Sequence, residues 1–169
     1  MLTQVTTEVL TIFREILDEY HHYLQHAKFN ILFDTGSKIK SGKMVYADIG
    51  PVSKKQNEIY NLLDFDFNFL LIIYRPEWNR LDDNQKRALI DHELCHCFFD
   101  PTSDPPICRS IDHDFTDFFE VIERHGLWND DLRSNRGSLQ MALNLDIPIE
   151  KEEAKSIIPQ GNINDDEAN

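Results

Sequence analysis

The chain has 169 residues, 41 % of them hydrophobic and 11 % aromatic, which is enough for one domain with a real core and no dependence on disulfides. Its formal net charge of −13 argues against a phosphate-binding surface, because nucleic-acid affinity rests on Lys and Arg. The longest apolar run, Phe69 to Tyr74, is too short to span a bilayer, and Cys95, Cys97 and Cys108 suit free, buried thiols better than a disulfide framework.

Residues 3–20 place Val5, Val9, Ile12, Phe13, Ile16, Leu17 and Tyr20 on one stripe, which predicts an amphipathic N-terminal helix. No basic leader precedes a continuous apolar core there, so no signal peptide is expected and the cytosol is favoured. FNILFD and MVYADIGP, separated by the turn-rich Thr35 to Gly42, read as two antiparallel strands. Pro51 ends the second, a polar stretch follows, and residues 65–74 form a third strand whose apolar end is buried.

LDDNQKRALIDHELCHCFF reads as a helix N-capped by Asp82 or Asp83 and stopped by Pro101, Pro105 and Pro106. After the loop SDPPICRSID, HDFTDFFEVIERHG reads as a second helix, with Phe115, Phe118, Phe119 and Ile122 at helical spacing and Gly126 as C-cap. The segment from Leu127 to Glu150 fits either a short helix or extended packing. Residues 150–169 hold six acids against two lysines and read as a solvated, disordered tail. The expected fold is α+β: an N-terminal helix, a small three-stranded sheet and two further helices in one domain over residues 1–149, followed by the acidic tail 150–169.

The chemistry lies in HELCH. A helix advances about 100° per residue, so His92 and His96 project from one face one turn apart, where both imidazoles can bind one zinc ion. Glu93 stands beside them as a general base able to take a proton from water and pass it to a leaving amine. A chance match within a buried helix, with Ile90, Leu94, Cys97 and Phe98 as core, leaves the grouping of two histidines and a glutamate unexplained. Cys95 and Cys97 lie about 100° around the helix from His96 and read as core rather than ligands.

A third ligand must come from beyond the proline loop. His113, at the start of the next helix, is the first candidate, with Asp112 and Asp114 placed to orient it; Glu120 and Glu123 are the rivals. The extended HExxHxxGxxH pattern is absent, since Phe99 and Thr102 occupy its glycine and last histidine positions. His22 and His26 read as surface residues. Arg124 and His125 fit helix-end packing better than oxyanion binding, and Asp91 fits solvent or a salt bridge.

ALIDHELCHC, the preceding DFDFNFLLIIYRPEW and the later HDFTDFFEVIERHGLW together resemble the phage metallopeptidase family, over about residues 42–128. More distantly, HELCH followed by a helix-opening histidine is similar to the SprT-like and WLM-type zinc metalloproteases. The resemblance implies a zincin-like fold, Zn2+ as cofactor, ligand roles for His92, His96 and His113, and the base role for Glu93. It also implies a protein or peptide substrate in the bacterial host cytoplasm, laid along residues 65–74 by strand addition. The sequence departs from those relatives after His113, where Asp114 replaces their usual glycine. A non-catalytic zinc-containing module that binds a host factor is the alternative, and a zinc hydrolase acting on a non-peptide amide is a third reading. Neither a membrane nor a nucleic acid is an expected partner, and the sequence leaves the oligomeric state open.

Overall fold

A computed structural model of the chain describes residues 1–113 and 117–135. Asp114, Phe115, the segment 136–149 and the acidic tail 150–169 lie outside the described residues.

The first strand β1 (Leu2–Gln4) precedes helix α1 (Thr7–Tyr20), so the expected helix over 3–20 is divided. Its apolar stripe is as expected: Val9, Phe13 and Ile16 are buried. A 3-10 turn, His22–Leu24, leads to β2 (Phe29–Asp34), the hairpin β3 (Lys38–Lys40) and β4 (Lys43–Val45), and β5 (Ala47–Pro51). The polar stretch after Pro51 is helix α2 (Lys54–Leu62), started by a reciprocal capping box between Ser53 and Gln56. Strand β6 (Phe69–Tyr74) follows, then the short α3 (Arg75–Trp78) and the long α4 (Asp83–Cys95). The remaining elements are β7 (Cys97–Asp100), β8 (Ile107–Ser110), α5 (Phe119–His125) and α6 (Asp130–Ser134).

The main sheet has four strands in the order β1-β2-β6-β5, one more than the sequence suggested. FNILFD and the 47–51 segment do not pair with each other. Strand β6 lies between them, parallel to β2 and antiparallel to β5. That central place suits the continuously apolar FLLIIY: Phe69, Leu71 and Ile73 are fully buried in the core, and Leu70 and Ile72 between them are half-buried. The strand begins at Phe69, not at residue 65, and it is not an edge.

Helix α4 packs between the sheet and α1 and is buried on nearly every side, including Ala88, Leu89, Ile90, Leu94 and Cys95. Asp82 caps it: its carboxylate accepts from the Gln85 N–H (2.8 Å), and the Gln85 side-chain oxygen accepts from the Asp82 N–H (3.0 Å). The prolines do not stop this helix. It ends before His96, and Cys97 to Asp100 turn into a strand whose burial alternates and which pairs antiparallel with β8. Cys and Phe are weak helix formers, and pairing with β8 outweighs continuation. Among the described residues no helix is long and apolar enough to cross a membrane.

Candidate metal centre

His92 sits in the last turn of α4 and His96 is its C-cap residue. His113 does not open the next helix, which begins only at Phe119; it lies outside any helix or strand, shortly after β8. The return of β8 along β7 carries it back. Ile111 donates its N–H to the His96 carbonyl (2.8 Å), and the Ile111 carbonyl accepts from His96 Nδ1 (2.6 Å). Ring centroids are then 5.0 Å apart for His92 and His96, 4.8 Å for His92 and His113, and 4.6 Å for His96 and His113. One ligand atom from each of the three falls within 4.8 Å of the others.

The Nδ1 partners set which nitrogens face inward. His92 Nδ1 donates to Asp117 Oδ1 (2.5 Å) and His96 Nδ1 to the Ile111 carbonyl, so Nε2 of each ring keeps its lone pair. His113 Nε2 lies 3.1 Å from His92 Nε2. Two nitrogens each 2.0–2.1 Å from one tetrahedral zinc ion would stand about 3.3 Å apart, so this donor set fits zinc. Phe118 walls the group, its ring centroid 5.6, 4.8 and 5.2 Å from those of His92, His96 and His113. Glu120 is exposed and paired with Arg124 (3.1 Å), Glu123 is exposed, and neither joins the histidine cluster.

The electrostatics follow from these contacts. Burial pushes the His96 pKa down to about 4, which keeps a neutral, metal-ready imidazole. Burial also disfavours a charged His92, but the hydrogen bond and negative charge of Asp117 outweigh it and raise that pKa. Glu93 is 5 % exposed, and burial pushes its pKa up to about 7, opposed by His92 and by the backbone N–H of Ile49 on β5. A carboxyl so placed exchanges protons near neutrality.

One acid escaped the sequence reading. Asp117, fully buried, accepts from His92 Nδ1, Trp128 Nε1 (2.9 Å) and its neighbour's N–H at Phe118 (2.7 Å). Its signal was an acid set against two phenylalanines, which cannot be buried there without partners. Of the two places expected for Asp91, the structure shows the salt bridge and not solvent. Fully buried, it accepts from His21 Nε2 (2.7 Å), Arg124 Nη1 (2.8 and 3.0 Å) and His125 Nε2 (3.0 Å). Arg124 and His125 are therefore committed to structure. Asp91, His21 and Cys95 also bring ligand atoms together, but the Arg124 cation already occupies the carboxylate that a metal would need. Cys95 and Cys97 are buried, Cys108 is half-buried, and His22 and His26 are exposed.

A cleft of about 820 Å3 opens over the cluster, with His92, Glu93, His96 and His113 in its lining. One wall is β5 with the preceding hairpin; the other runs from Ser110 to His113 and on to α6. As the outer strand of the sheet, β5 turns alternate backbone groups away from β6. Tyr46 and Val52 bond to β6 and its entry, which leaves Ala47 and Ile49 facing outward. The outer strand beside the site is thus β5, not residues 65–74, and on it the Ile49 N–H is already turned to Glu93.

A family model described as "Putative phage metallopeptidase" matches residues 3–136, a span that includes the sheet, the motif helix and His113. No curated protein and no solved structure gives a significant match to the chain. The chain belongs to the phage metallopeptidase family.

Proposed function

We propose that this chain is a zinc-dependent peptidase of zincin-like design, phage- or prophage-encoded and acting on a protein in the bacterial host cytoplasm. The carrying observation is the convergence of three imidazoles beside a buried glutamate on the floor of an open cleft. His92 and His96 would hold the ion through Nε2, and His113 would close the site as third protein ligand. Bound zinc supplies Lewis acidity, polarising a water molecule and the scissile carbonyl.

The protein's own groups do the rest. Glu93 takes the proton of the attacking water and returns it to the departing amine, a task suited to its position one residue from His92. Asp117 fixes the His92 ring through Nδ1, and Phe118 excludes water behind the histidines. An extended substrate segment would add to the outward-facing groups of Ala47 and to the Ile49 carbonyl on β5, the Ile49 N–H being held by Glu93. Retention of an acid at position 93 weighs against a purely structural zinc site in a binding module, which has no use for a base.

Zinc-loaded wild type and Glu93→Gln, each incubated with bacterial lysate, separate the readings. The wild type should generate new protein N-termini, and the variant should lose about 10²- to 10⁴-fold in rate while keeping its zinc. An equal pattern of N-termini from both proteins would remove the peptidase reading.

A further inference from the structure

The β3–β4 hairpin is set apart from the main sheet and forms one lip of the cleft. Its two-residue turn, Ser41 (φ 52°) and Gly42 (φ 78°), has both positive φ values that a tight, right-twisting hairpin needs. Among the described residues its only ladder is Lys38↔Val45, Ile39↔Met44 and Lys40↔Lys43, and an isolated two-stranded ribbon holds its shape poorly. The cross-strand pair Ile39 and Met44 is exposed at 68 % and 40 %, and among the described residues neither belongs to the hydrophobic core.

Side-chain ties seat it instead. At the base, Lys38 Nζ donates to Asp48 Oδ2 (2.7 Å) on β5, an oxygen that also accepts from the Tyr74 hydroxyl (2.7 Å). At the tip, Lys43 Nζ reaches Asp131 Oδ2 (2.8 Å) on α6, across the cleft that both residues line. The base tie belongs to a hydrogen-bonded group of three. The tip tie is a single ion pair with side chains 60 % and 56 % exposed, the kind that water and salt break readily.

We infer that residues 38–45 are a flap latched over the cleft by Lys43 and Asp131, which opens to admit one extended polypeptide segment and closes across it. The substrate class that follows is an unstructured chain segment, since a folded surface cannot pass beneath a bridged roof. The part concerning substrate rests on the peptidase reading; the latch itself does not.

The test uses the full-length chain without metal, as wild type, Lys43→Glu, Asp131→Lys and the double charge swap. Amide hydrogen exchange over residues 38–46 should be several-fold faster in each single variant and return towards wild type in the swap. Zinc-loaded forms should release metal to EDTA in the same order. Unchanged exchange in the single variants, or a swap as fast as they are, would overturn the flap. A chain that shows this exchange pattern yet binds no zinc would sink the peptidase reading and leave the flap standing.

Discussion

Asp117 is the residue on which the candidate metal centre leans most heavily from outside. Its carboxylate holds His92 Nδ1 and is itself held by Trp128 Nε1 and the Phe118 N–H, so it has little freedom to let the ring turn. Replacing it by Asn keeps an acceptor of similar shape but removes the charge that makes His92 a better donor to a metal. Asp117→Asn should therefore weaken zinc binding about 10- to 100-fold, measured by competition with a chromophoric chelator. An affinity equal to wild type would mean that the ring is oriented by packing against Phe118 and Trp128 alone. His92, Glu93 and His96 were legible as a unit because helical spacing fixes their relative directions. Asp117 was not, because nothing local says which acid of HDFTDFF a distant histidine will face.

At the scale of elements, α5 is tied at both ends to consecutive residues of α4. Asp117, just before its start, holds His92, while Arg124 and His125 in its last turn hold Asp91. Burial by itself would raise the Asp91 pKa, but hydrogen bonds from His125, His21 and Arg124 outweigh it and hold the carboxyl well below the usual carboxylate range. The folded pKa is thus depressed, so its contribution to stability is complete above the unfolded value of about 3.9 and is lost as pH falls below it. Urea unfolding of the wild type should show this loss below about pH 4, and Asp91→Asn should show a shallower acid dependence together with a stability lower by about 3 kcal/mol at neutral pH. Parallel acid profiles for the two proteins would contradict the role given to Asp91. Helices α1 and α4 were readable from periodicity and from Asp82, but α2 was hidden in polar residues that bury no side chain. The early end of α4 was hidden because the β7–β8 pairing that ends it is a contact between distant segments.

For the whole molecule, the candidate ligand atoms gather at the C-terminal end of α4 and come from two separated stretches of chain. Metal binding should then stabilise the entire fold rather than one loop. Zinc at about 100 times its Kd should add about 2.7 kcal/mol, seen as a Tm that rises with zinc and falls with EDTA. His92→Ala should abolish that response, and a zinc-dependent Tm that survives the substitution would place the metal elsewhere. The strand order shows why topology was the least legible feature. Apolar runs identified β2 and β6 as strands, but only pairing between distant segments puts β6 between β2 and β5. That rearrangement makes β5, next to Glu93, the outer strand of the sheet. The most direct test of the centre itself is X-ray absorption at the zinc edge on the stoichiometrically loaded chain. Three imidazole nitrogens and one further light atom at about 2.0–2.1 Å are expected, whereas sulfur at about 2.3 Å, or a chain that retains no zinc, would contradict the account.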